Sequence, residues 1–131
     1  MSAPRGIVIR QQHYPGRAPI EAYGNGGFRF AGMSHRGSIL CLPSGIHGWG
    51  ATAAAELDAA AFERLLAETE RIDILLVGMG KGPAPVPAAL RAVFRERGMS
   101  SDGMSTGAAV RTFNVLLAEN RAVAAALIAV D

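Results

Sequence analysis

The residues best placed to do chemistry in this chain are Gly78-Met79-Gly80-Lys81-Gly82, a glycine-rich loop carrying one lysine. The loop follows an apolar run at Ile72 to Val77 and precedes an amphipathic stretch. Phosphate-cradling loops join a strand to a helix at such a position. The details depart from both phosphate signatures. A P-loop places Ser or Thr directly after the Lys, and here Gly82 follows. A dinucleotide fingerprint would have its third glycine where Pro83 stands. Asp102 is spaced for a ribose contact, but on a weak strand. Pro83, Pro85 and Pro87 also thin out the N–H donors an anion would use. The loop therefore reads as a tight strand-to-helix turn in preference to a nucleotide site.

A second polar set lies on the last helical stretch. Gly107, Arg111, Asn114 and Ala118 follow spacings of four, three and four, so they share one face. Thr106 stands at its start. Arg111 offers a planar fork of donors suited to carboxylates and phosphates. Asn114 is unfavourable mid-helix unless it bonds something. Either a structural hydrogen bond or a binding role satisfies that need. The candidate binding cleft thus comprises Gly78, Gly80, Lys81, Thr106, Gly107, Arg111 and Asn114.

Other reactive residue types point away from catalysis. His13, His35 and His47 are not paired with one another or with acids at metal-ligand spacing. Each stands in or beside a turn, so all three are expected at the surface. Ser44 lacks a Gly-x-Ser-x-Gly context. No carboxylate pair stands out from a solvated helix face. Cys41, the one cysteine, lies in the apolar run Ser38 to Leu42 and reads as a buried small hydrophobe without a disulfide. Trp49 reads as a core or rim anchor, with an interface hot spot equally open. No catalytic residue, metal ligand or cofactor is expected.

The elements that position these residues change character along the chain. The first half reads as hairpins. Gly6 to Arg10 is a buried-strand run, and Ile20 to Tyr23 is a second strand. Gly24-Asn25-Gly26-Gly27 is a turn, since these residues tolerate positive φ. Phe28-Arg29-Phe30 alternates as a half-buried strand does. His35-Arg36-Gly37 turns the chain into Ser38 to Leu42, which Pro43-Ser44-Gly45 ends. The second half alternates helix and strand. Asp58 is an N-cap, with Leu57 and Phe62 as a hydrophobic staple, for a helix from Asp58 to Glu70. Ile72 to Val77 reads as a central strand covered on both faces. Pro87 opens a helix along Val86, Leu90, Val93 and Phe94, which Gly98 stops. Met99 to Met104 is a weak strand. Ser105 or Thr106 caps a third helix that buries Ala109, Phe113 and Leu116, and Asn120 closes it. Arg121 to Val130 is ambiguous, since its alanines favour helix while Val123, Leu127, Ile128 and Val130 permit a strand.

Composition bounds the answer. The chain has 131 residues, half of them hydrophobic and 18% charged, which suits one globular domain over 1–131 and excludes a disordered chain. Aromatics make up 6%, so small side chains must fill much of the core. The net charge of +2 comes from scattered Arg and Lys, so nucleic-acid binding is not expected. Met1 to Arg10 has no signal-peptide core, and Ala122 to Val130 is too short to span a bilayer. A bacterial cytoplasmic location without membrane insertion is the expectation.

The stretches Leu75 to Lys81, Leu90-Arg91-Ala92, Met104 to Glu119 and Arg121 to Ile128 carry a resemblance. Gly27 to Phe30, Gly37 to Leu40 and the Pro43-to-Trp49 turn fit it too. Together they resemble domain-of-unknown-function family 498, which includes mitochondrial complex I assembly factor 3. The sequence departs from that family at Ser105, where an acid is usual, at Phe113, where an aromatic hydroxyl is usual, and near Gly82, where a basic residue is usual. The resemblance implies an α/β fold of three layers. A central mixed sheet is flanked by helices, with an added N-terminal β-hairpin layer, and Arg121 to Val130 becomes a strand. It also implies a non-enzymatic binding or assembly module with protein partners, membrane-complex subunits among them. The alternative is a small-molecule or anion-binding protein, or an enzyme, using the cleft beside Gly78 to Lys81 and Thr106. A purely structural homo-oligomer is the third reading.

Overall fold

The computed structural model describes residues 13–131. The strand expected at Gly6 to Arg10 and the side chain of His13 lie outside the described residues. The strands are β1 (His13–Pro15), β2 (Ile20–Gly24), β3 (Gly27–Phe30), β4 (Met33–Arg36), β5 (Ser38–Leu42), β6 (Gly45–Trp49), β7 (Ile74–Gly78), β8 (Ser100–Met104) and β9 (Val123–Leu127). The helices are α1 (Glu63–Leu66), α2 (Ala88–Glu96) and α3 (Thr106–Ala118). A six-stranded sheet runs in the order β1-β6-β5-β9-β7-β8, and β2-β3-β4 form a separate three-stranded sheet. In the larger sheet β9, β7 and β8 are parallel, whereas β9-β5, β5-β6 and β6-β1 are antiparallel. The central sheet is mixed, as expected.

Side-chain alternation divides the interior into two cores. Leu40 and Leu42 of β5, Leu75 and Val77 of β7, and Ala124 and Ala126 of β9 face Phe62, Leu65, Leu90 and Phe94. Ile39 and Cys41, Leu76, and Val123, Ala125 and Leu127 face the other way, against Ala109, Phe113, Phe28 and Phe30. The order of layers is therefore α1 and α2, then the mixed sheet, then α3 beside the small sheet. The run Ala124-Ala125-Ala126 is fully buried in the interior strand β9, and its small side chains let both outer layers pack close. β9 settles the ambiguous C-terminal stretch as strand, because paired neighbours on both sides outweigh alanine's helix preference. β7 is likewise paired on both sides, as its apolar run requires.

The expected helix from Asp58 to Glu70 is broken into a 3-10 turn at Ala59–Phe62, the single turn α1 and a second 3-10 turn at Thr69–Arg71. Its start forms as expected. The Asp58 carboxylate accepts from the Ala61 N–H at 3.0 Å, and Leu57 and Phe62 are buried. Beyond it, the N–H groups of Ala67 and Glu68 donate to the carbonyls three residues back, at Arg64 and Leu65. Phe62 and Leu65 repeat at that same three-residue spacing and are both fully buried, so burial favours the tighter winding. Strands β4 and β6 were not expected from local sequence. Pro87 sits one residue before α2, as its N-cap.

Two histidines are not at the surface. His35 is 6% exposed and His47 7%. The turn lies at Gly37, whose φ is +100°, and not at His35. His35 is instead a residue of β4 paired with Phe28 of β3, with its ring 6.5 Å from that of Phe30. Burial lowers the His35 pKa from its ordinary 6.5, and a backbone hydrogen bond at Ser38 partly opposes this. The folded chain therefore holds this imidazole neutral where the unfolded chain protonates it. Stability is full above pH 6.5 and falls as pH drops through 6.5 toward the lowered value. In urea denaturation across this window, His35→Gln is expected to show a shallower fall than wild type. Identical pH slopes would contradict this.

Candidate functional site

The carboxyl ends of the parallel strands β7, β8 and β9 lie at one end of the sheet, where open α/β sheets bind ligands. Gly78, Gly80 and Thr106 meet there. Thr106 is 0% exposed. Its hydroxyl donates to the Ile128 carbonyl at 2.7 Å and accepts from the Gly80 N–H at 3.1 Å. Its backbone N–H donates to the Gly80 carbonyl at 2.8 Å. Around it, the Met79 N–H donates to the Met104 carbonyl and the Ile128 N–H to the Gly78 carbonyl, at 2.8 and 3.0 Å. Gly78 suits this close approach. A Cβ there would lie 3.0 Å from both Cα and Oγ1 of Thr106 and 3.1 Å from Cδ2 of Leu127. The polar groups at the strand ends thus satisfy one another, and the backbone of the loop is packed against the start of α3.

Ser105 completes that start. As N-cap, its hydroxyl accepts from the Ala108 N–H at 3.3 Å. The remaining candidate residues point elsewhere. Lys81 and Arg111 are exposed. Gly107 receives Tyr23 of β2, since a Cβ on Gly107 would collide with the phenol oxygen. Asn114 reaches β2 as well. Its Oδ1 accepts from the Ile20 N–H and its Nδ2 donates to the Ile20 carbonyl, both at 2.9 Å. The amide thereby acts as a strand partner at the edge of the small sheet. Asn114→Ala is expected to cost about 2 kcal/mol, from one N–H and one C=O left partnerless. Arg111→Ala, at an exposed position, is expected to stay within about 0.5 kcal/mol. Thermal or urea unfolding of the two single variants checks this contrast.

Two polar arrangements were not found from sequence. The Ser44 hydroxyl donates to Glu68 Oε2 at 2.5 Å and lies 2.8 Å from His47 Nε2, while its backbone N–H donates to Glu68 Oε1 at 3.0 Å. Serine here bridges the two titratable groups, whereas a hydrolase triad places the histidine in the middle. The carboxylate instead caps the β5–β6 turn. No local signal links Glu68 to Ser44. The second arrangement is a groove of about 590 Å³ over the outer face of the small sheet, flanked by Arg29 and Arg36. Alternation at Phe28-Arg29-Phe30 already turns Arg29 outward, but Arg36 joins it only through the pairing of β3 with β4. Among the described residues, no group of three His, Cys, Asp or Glu is placed to hold a metal ion, and no helix is long and apolar enough to cross a membrane.

Residues 20–128 match a family profile described as a protein of unknown function (DUF498/DUF598). The chain belongs to this family. An uncharacterised protein of Rhodobacter capsulatus is 40% identical over 122 residues, covering 93% of each chain. The mouse and bovine proteins named NADH dehydrogenase (ubiquinone) 1 alpha subcomplex assembly factor 3 are 28% and 31% identical. The match covers 93% of this chain but 66% of each of theirs, so this chain spans just under two thirds of their length. The fold of this chain is also seen in solved structures. The crystal structure of an outer membrane protein from Bartonella henselae is 59% identical with a TM-score of 0.86, over 91% of this chain and 100% of that one. An NMR structure of a Rhodopseudomonas palustris protein is 41% identical with a TM-score of 0.80, over 100% and 93% of the two chains. Proteins named as complex I assembly factors are thus among the relatives of this chain.

Proposed function

We propose that this chain is a non-enzymatic protein-binding module that aids assembly of inner-membrane complexes, acting from the bacterial cytoplasm on membrane-complex subunits. The observation that carries this reading is the closed strand-end crevice. Thr106 spends its hydroxyl on Gly80 and Ile128, so this side chain serves the fold at the position where open α/β sheets bind ligands. Kinship with the mammalian assembly factors supports it. Its test is capture of the tagged chain from the native cell with quantitative mass spectrometry. Enrichment of subunits of an inner-membrane complex is expected; recovery of none would overturn the proposal. The Bartonella relative is described as an outer membrane protein. Fractionation separates the two locations, with this chain expected in the cytoplasmic and inner-membrane fractions.

The second reading, a small-molecule or anion site beside Gly78 to Lys81, has one observation in its favour. Lys81 is exposed next to the carboxyl ends of three parallel strands. Calorimetry with ATP, NAD and FAD decides between the readings. Nothing tighter than millimolar, about −4 kcal/mol, is expected, and a micromolar constant would establish the second reading instead.

A further inference from the structure

We propose that the outer face of the small sheet binds an extended acidic peptide segment of a partner protein, with carboxylates at alternate positions. This rests on the protein-binding reading above and names the chemistry of the partner. The pairing of Arg29 with Ser34 and of Gly27 with Arg36 puts both arginines on the outward face, as diagonal neighbours on adjacent strands. Gly27 and Ser34 complete the diagonal between them, and Ala22 and Gly24 extend this floor of small residues onto β2. The Arg29 guanidinium is held by the Ser34 hydroxyl at 3.0 Å. The Arg36 guanidinium reaches over the β2–β3 turn, where a Cβ on Gly26 would lie 4.0 Å from its Nη1. That turn is itself anchored, since the Gly26 N–H donates to the Val130 carbonyl at 2.8 Å. Among the described residues no carboxylate lines the groove, so neither arginine has an opposing charge from them within it.

Spacing and charge select the occupant. Diagonal neighbours across an antiparallel pair stand about 7–8 Å apart. Alternate side chains of an extended peptide project on one side about 6.6–6.8 Å apart. Carboxylates at one position and two residues on therefore match the backbone spacing of the two arginines, and each guanidinium is suited to bidentate pairing with one of them. The small side chains of the floor leave room for an extended backbone to lie along the sheet.

The test uses the full chain and a fluorescein-labelled peptide of alternating Glu and Thr, read by fluorescence anisotropy. Alternating Lys-Thr and Gln-Thr peptides, and phosphatidylglycerol vesicles, are the comparison arms. Saturable binding of the Glu-Thr peptide is expected, weakened about tenfold or more in the double variant Arg29→Gln and Arg36→Gln. Added salt should weaken it further. Both positions are exposed, and circular dichroism establishes that the variant is folded. Equal binding of the Gln-Thr or Lys-Thr peptide, no effect of the double variant, or binding of vesicles without the Glu-Thr peptide would each overturn the proposal. Partner capture separates this from the broader reading. If the double variant still enriches the same native partners, the groove assignment fails while the binding module stands.

Discussion

Replacing Thr106 with Val lowers the unfolding free energy by about 2–4 kcal/mol, measured by urea denaturation at neutral pH. Valine keeps the shape and removes only the hydroxyl. That hydroxyl is the donor to the Ile128 carbonyl and the acceptor for the Gly80 N–H, in a side chain with no exposed surface. A buried donor and acceptor left without partners each cost about 1–3 kcal/mol, and relaxation of the loop recovers part of the sum. Thr106→Ser keeps both bonds and loses one methyl, so its cost should be about 1 kcal/mol. A ligand-binding role for Thr106 requires a hydroxyl free in the unliganded chain, and then Val would leave stability nearly unchanged. A loss below about 0.5 kcal/mol would count against the closed crevice.

Replacing Phe94 with Ala costs about 3–5 kcal/mol. Phe94 is 0% exposed in the core between α2 and the mixed sheet. Its ring meets that of Phe62 nearly edge-on, with centroids 5.1 Å apart, and Phe62 in turn packs on Trp49 at 5.4 Å. The Trp49 indole N–H donates to the Ala61 carbonyl at 2.7 Å, which fixes the end of the chain of rings. Truncation removes the buried ring and leaves a cavity in a core that also holds the small side chains of Ala124 and Ala126. Phe94→Leu fills most of the space and should cost about 1–1.5 kcal/mol. An Ala variant within about 1 kcal/mol of wild type in chemical denaturation would show that this cluster does not hold the layer.

The parts of the fold legible in sequence are those set by local chemistry or unmistakable periodicity. Ser105 caps α3, Gly98 with φ of +85° ends α2, and Asn120 with φ of +62° closes α3. The apolar run of β7 occupies an interior place in the sheet. What local sequence could not supply was pairing. β6 contains two glycines and a histidine and becomes a strand because β5 and β1 hydrogen-bond to either side of it. His35 and His47 look like turn residues until the register turns them inward. Of the candidate cleft, the meeting of Gly78, Gly80 and Thr106 followed from strand-loop-helix order. The turn of Gly107 and Asn114 toward Tyr23 and Ile20 depends on contacts across more than eighty residues, which no local pattern encodes.

The proposed role in membrane-complex assembly is most directly tested by deleting the gene in the native cell and resolving detergent-solubilised membrane complexes on native gels with an NADH dehydrogenase activity stain. An assembly module predicts loss of the fully assembled, active NADH dehydrogenase, accumulation of partial complexes with subunit synthesis unchanged, and restoration by the wild-type chain. Assembled enzyme at wild-type level in the deletion strain, with no partial complexes, would contradict it.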